Sequence, residues 1–163
     1  MNHASSPASL ARPKFLADEM LGRLAKWLRL LGYDTAYVSG IADRDLVSLA
    51  EAEDRIILTR DTSLILRKRC RRYIFVRSDH WREQLEQVYR EAGLNCESML
   101  TLCALCNSRL QQVEKASVET RVPPYVYHTQ ESFYECKNCA RLFWPATHVS
   151  RILEELSSIR EES

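Results

Sequence analysis

The sequence predicts an α/β protein in which a parallel sheet with right-handed crossovers is followed by a smaller, cysteine-bearing β-rich unit. Three observations predict it. Short apolar runs alternate with segments of helical period from Lys14 to Glu91, the pattern of a parallel sheet wound with helices. That pattern stops at Gly93, and five of the six cysteines lie beyond it. At 163 residues the chain holds one full core, or a compact domain with a small appendage.

Each element follows from local pattern. Lys14 to Ala17 is an apolar run, and Asp18 opens a segment with Leu21, Leu24, Ala25, Leu28 and Leu31 at helical period, closed by Gly32 at the usual stop position. Thr35 to Val38 reads as a second strand, and a Ser-Gly turn leads to a helix from Asp43 to Ala52. Arg55 to Thr59 is the clearest strand, β-branched and apolar on both faces as a parallel strand must be. A short helix carrying Leu64 to Leu66, a strand at Tyr73 to Val76 and a helix from Trp81 to Glu91 complete the alternation. Farther on, Tyr125-Val-Tyr127 and Ser132-Phe-Tyr134 read as β-rich pieces, and a last amphipathic helix begins at Val149.

Composition excludes several classes. No run approaches the roughly 18 apolar residues of a membrane span, because Arg23, Lys26 and Arg29 interrupt the best candidate. The opening Met1-Asn-His-Ala-Ser-Ser-Pro-Ala-Ser9 lacks the apolar stretch of a signal peptide, so residues 1–12 are expected to be a disordered lead-in and the location cytoplasmic. The formal net charge of +1 hides an asymmetry. Between Arg55 and Arg82 stand nine Lys or Arg against Asp61 and Asp79, a block suited to binding a polyanion.

Cys103-Ala-Leu-Cys106 and Cys136-Lys-Asn-Cys139 are two CxxC pairs separated by 29 residues. Each pair bends into a knuckle offering two thiolates, and two knuckles complete a tetrahedral zinc site with a folding role. A disulfide framework lacks a secretory context, and a redox CxxC needs only one pair. A hairpin holding Pro123-Pro124 is expected to absorb the long gap. Cys70 and Cys96 read as small apolar groups. His3, His80 and His128 are scattered, and His148 is placed to brace the ribbon.

Four aspartates, Asp18, Asp43, Asp61 and Asp79, fall where a predicted strand hands over to a predicted helix. Each taken alone fits a helix cap. Together they lie where open α/β sheets place ligands, along the carboxyl ends of the strands, and a cluster of carboxylates there calls for a hard cation such as Mg2+ or Mn2+. Arg60, Arg67, Lys68, Arg69, Arg71 and Arg72 flank Asp61 and are candidates to hold phosphates. Arg23, Lys26 and Arg29 recur every third residue of the first helix, a row that either follows a nucleic-acid backbone or forms a solvated face. Trp27 beside it stacks on a base or is buried against a neighbour.

The stretch from Phe15 through Trp27 to Asp34, then Asp43 to Ala50, then Ile56-Ile-Leu-Thr-Arg-Asp61 resembles the Mut-seven C-terminal RNase family. The likeness continues through Val76-Arg-Ser-Asp79, the two knuckles, Val122-Pro-Pro-Tyr125 and Phe143-Trp-Pro-Ala-Thr-His148. The resemblance implies a PIN-like three-layer α/β/α domain with a mostly parallel sheet over residues 13–94, a zinc ribbon over 98–148 and a closing helix over 149–158. It also implies metal-dependent cleavage of RNA, with Asp18, Asp43, Asp61 and Asp79 at the metal site and Asp45 as the alternative to Asp43; from the charge pattern, Arg23, Lys26, Arg60 and Arg67 are the residues expected on the substrate. The competing readings are an RNA-binding module of the same fold that does not cut, acting with tRNA, rRNA or a ribosomal partner, and a protein-docking module whose aspartates are only caps.

Overall fold

Four short strands, apolar on both sides, make the first sheet of the computed structural model, which describes residues 11–161. They are β1 (Phe15–Ala17), β2 (Thr35–Tyr37), β3 (Ile56–Thr59) and β4 (Tyr73–Phe75). All pairings are parallel, in the order β2-β1-β3-β4, with Ala17 beside both Tyr37 and Leu58, and Leu58 beside Ile74. A parallel sheet must be covered on both faces, and the alternation of side chains divides the work. Phe15, Ala17, Leu58 and Ile74 pack under α1 (Gly22–Leu30) and α4 (Trp81–Glu91), while Leu16 and Ile57 pack under α2 (Asp43–Glu53) and α3 (Thr62–Ile65). The result is the expected three-layer α/β/α arrangement.

Local chemistry explains the helix ends. Asp18 accepts the Glu19 N–H and starts a 3-10 turn over Glu19–Leu21, which runs into α1. A side chain at Gly22 would put its Cβ 3.3 Å from the Tyr37 ring. Gly32 ends α1 at φ +89°, and a Cβ there would lie 2.1 Å from the Ser98 carbonyl oxygen. The stop residue thus also admits the chain that returns from α4.

Beyond α4, an antiparallel sheet forms from β5 (Leu110–Val113), β6 (Phe133–Cys136) and β7 (Leu142–Phe143). Tyr125 to Tyr127 is not a strand. It lies in α5 (Pro124–Thr129), with Pro124 at the first helical position, where a fixed φ favours helix and the missing N–H is harmless. Three alternating residues cannot separate one helical turn from a strand; here Val126 is buried while Tyr125 is 70% exposed. The last helix, α6 (Thr147–Glu161), is longer than expected. Its Val149, Ile152, Leu153 and Leu156 join the core formed with α1 and α4, so the chain returns to the first sheet after completing the ribbon.

The lead-in expected over residues 1–12 falls outside the described residues except for Ala11 and Arg12, and the Arg12 guanidinium carbon sits 4.1 Å from the Tyr33 ring centre. No helix among the described residues is long and apolar enough to cross a membrane. Gly32→Ala, which meets both a left-handed φ and a backbone clash, is expected to lower unfolding free energy by more than about 2 kcal/mol. Urea denaturation followed by circular dichroism measures this.

Candidate active site and metal centre

The order of strands places a topological switch point between β1 and β3, since the chain passes from β1 to β2 on one side and then crosses back to β3 on the other. Asp18 follows β1 and Asp61 lies two residues after β3, so both reach this crevice, where open α/β sheets bind ligands. Thr59 joins them. Its side chain is fully buried, and its hydroxyl donates to Asp18 Oδ2 at 2.9 Å while accepting the Asp61 N–H at 2.9 Å. Sequence reasoning passed over Thr59; the available signal was a hydroxyl at the end of an apolar strand, which burial obliges to find partners.

Asp61 uses Oδ1 for the cap expected of it, accepting the Ser63 N–H at 2.8 Å and the Ser63 hydroxyl at 2.7 Å. These bonds hold its carboxyl below the ordinary carboxylate range, against a smaller opposing effect of desolvation. Asp18 likewise takes the Glu19 N–H on Oδ1, at 2.6 Å. Asp43 and Asp79 are not caps: the residues that precede α2 and α4 are Ala42 and His80. Asp43 Oδ2 lies 3.6 Å from Arg67 Nη2. Asp45 reaches only its neighbour Arg44, at 3.9 Å. Asp79 is exposed. Among the described residues no three aspartates bring their carboxylate oxygens within 4.8 Å of one another.

The basic block divides by position. Arg69 pairs with Glu51 and Arg72 with Asp54, so these two arginines brace α2 instead of flanking Asp61. Arg67 faces Asp43 and, with Arg44, Lys68, Arg69 and Val47, lines a cleft of about 340 Å³. Arg60 stands between Thr59 and Asp61 with its Nε enclosed and without a hydrogen-bond partner. On α1, Lys26 is exposed and the Arg23 guanidinium carbon lies 4.4 Å from the Trp81 ring centre. Trp27 is buried and stacks on Trp81, with ring centres 5.1 Å apart and planes at 8°, so it braces α1 against α4 and presents no face to a base. Arg29 leaves the solvated row altogether, being only 7% exposed.

The sulfurs of Cys103, Cys106, Cys136 and Cys139 lie within 4.8 Å of one another. Cys103 and Cys139 are 3.6 Å apart and Cys106 and Cys136 are 3.4 Å apart. Around a tetrahedral metal with sulfur bonds of ~2.3 Å, ligand sulfurs stand about 3.8 Å apart, so the set fits a metal such as zinc. The two knuckles share one backbone form: the residue after each second cysteine, Asn107 and Ala140, has a left-handed φ of 65° and 60°. Burial pushes the Cys103 thiol up, while hydrogen bonds from Ser108 and Asn138 pull Cys106 down to about 6. A cation beside Cys103 offsets the cost of ionising it. Cys70 is buried in the α2 core and Cys96 is half-buried beside Tyr89. His148 is exposed on the first turn of α6.

A parallel α/β sheet with two acids at its switch point, joined to a four-cysteine ribbon that could hold a metal such as zinc, defines the class as a two-part α/β protein. The family model of the Mut7-C RNAse domain matches residues 13–156, and the chain belongs to that family. RNA is the substrate class that this membership implies. No curated protein and no solved structure gives a significant match.

Asp34 links the two parts. Burial pushes its carboxyl up, but hydrogen bonds from Arg55 and Asn107 outweigh that and hold it below the ordinary range. A lowered native pKa means the contribution is complete above the unfolded value of about 3.9 and fades as pH falls through the native value. The stability difference between the parent and Asp34→Asn is therefore expected to be constant near neutrality and to shrink below about pH 4. Urea unfolding at pH 7 and pH 3 compares the two.

Proposed function

We propose that the protein is a metal-dependent ribonuclease that hydrolyses RNA phosphodiester bonds, with Mg2+ or Mn2+ held by Asp18 and Asp61 at the switch point; Asp43, which faces Arg67, and the exposed Asp79 would have to turn toward that edge to join them. The observation that carries this reading is the Thr59 hydroxyl, which ties Asp18 to the Asp61 backbone at the switch point. A bound cation of this kind supplies an activated water and offsets charge on the phosphate. The rest falls to side chains of the chain itself. Thr59 holds Asp18 in place, and Ser63 fixes Asp61 through Oδ1. Arg60 stands between Thr59 and Asp61 at the same edge, and with Arg67, Arg23 and Lys26 it would supply the cationic surface for an RNA strand. Within this reading residues 13–94 with the closing helix carry the chemistry, and residues 98–148 form a zinc ribbon with a folding role. The cytoplasm is the compartment that suits reduced thiolates.

One observation favours the rival, an RNA-binding module that does not cut: Arg67 already neutralises Asp43. Labelled single-stranded RNA incubated with Mn2+ separates the two. The parent is expected to cleave, and Asp61→Asn or Asp18→Asn to lose about 100-fold or more of the rate while retaining RNA affinity. A parent that binds RNA but shows no metal-dependent cleavage establishes the rival.

A further inference from the structure

Arg29 sits on the face of α1 that charge periodicity reads as solvated, yet it is buried. A buried guanidinium is tolerated only when its N–H groups are met and its charge is offset. Its Nε–H donates to the carbonyl of Thr35, the first residue of edge strand β2, at 2.8 Å. Its Nη1 donates to the carbonyls of Ala104 at 3.0 Å and Leu105 at 3.2 Å. Those two residues are the pair between Cys103 and Cys106. Asn107, which follows that knuckle, takes the other side of the same strand end: Oδ1 accepts the Thr35 N–H at 3.2 Å and Nδ2 donates to Asp34 Oδ1 at 2.7 Å. Thr35 is thus held at its N–H by one side of the knuckle and at its carbonyl by an arginine bound to the other.

We propose that Arg29 is a positioning residue of the four-cysteine metal site, so that a side chain of the α/β layer sets the ribbon's metal affinity and metal occupancy in turn secures the start of β2. The proposal rests on reading the four cysteines as a zinc site. Four thiolates around a divalent cation carry a net charge of about two minus, and a buried guanidinium beside the knuckle offsets part of it. Outer partners of this kind orient metal ligands and tune their affinity. The planar fork of arginine serves two directions at once, with Nε toward β2 and Nη1 toward the knuckle, whereas a lysine ammonium carries all its donors on one nitrogen and cannot span both. Asn107 suits its place for two reasons. Asn tolerates the left-handed backbone that the knuckle needs, and its amide reaches β2. Because binding couplings are reciprocal, a residue that strengthens metal binding by holding β2 is itself held by the metal.

Zinc affinity of the full chain, read by competition with a chromophoric chelator, tests this. Arg29→Gln is expected to weaken zinc binding about 10- to 100-fold with circular dichroism at saturating zinc unchanged, and Arg29→Lys to restore only a minor part of the loss. Asn107→Gly, which preserves the turn, is expected to speed amide exchange at Thr35 and Ala36 in the zinc-loaded protein. A folded Arg29→Gln that binds zinc within threefold of the parent overturns the proposal. If Arg29→Gln does not fold, unchanged exchange in Asn107→Gly overturns it. A parent that takes up no zinc refutes the zinc site itself, and the proposal with it.

Discussion

The Asp18 N–H donates to the Leu58 carbonyl at 3.0 Å, and this single rung of the β1–β3 pairing makes the two central strands end side by side. Two acids that are 43 positions apart in the chain, Asp18 and Asp61, reach one crevice because parallel strands present all their carboxyl ends along one edge. Coverage of both sheet faces follows from the same pairing, since central strands buried on two sides need helices above and below. The return of α6 to the α1 and α4 side completes one of those layers after the ribbon has formed.

Much of the positive charge in this molecule is committed to the fold. Arg55 is anchored by Asp34 and Glu53, Arg69 by Glu51 of α2, Arg72 by Asp54 just past its end, and Arg29 by backbone carbonyls. These cations hold layers together. Among the described residues Arg60, Lys68 and Arg23 form no ion pair, and Arg23 lies against the Trp81 ring. A run of arginines therefore says less about a ligand than the positions of the acids that face each one, because an ion pair within the fold withdraws a cation from service to a phosphate.

The linkage between ribbon and sheet rests on backbone groups more than on apolar contact. The knuckle carbonyls, the Thr35 N–H and the Thr35 carbonyl are all obligatory hydrogen-bonding groups at a buried junction, and Arg29 and Asn107 satisfy them. Asp34 and Arg55 extend the same network to the Phe15 carbonyl of β1. The ribbon is accordingly built into the edge of the sheet and is not a pendant on a linker.

The sequence by itself determined the alternation of strands and helices, the place where that alternation stops, the four cysteines that cluster and the handover positions of the four aspartates. Each is a local property: apolar period, a stop glycine, CxxC spacing, an acid after a strand. Tyr125-Val-Tyr127 was illegible because three residues fit either period, and a proline pair settled it as helix. Thr59, Arg29 and Asn107 were illegible for a deeper reason. Their roles depend on partners brought close by folding, at separations of 41, 75 and 72 residues, and no local pattern encodes such distant neighbours. Only the tertiary structure decided which arginines are tied into the fold, because a charge acts through what stands within a few ångströms of it, wherever that group lies in the chain.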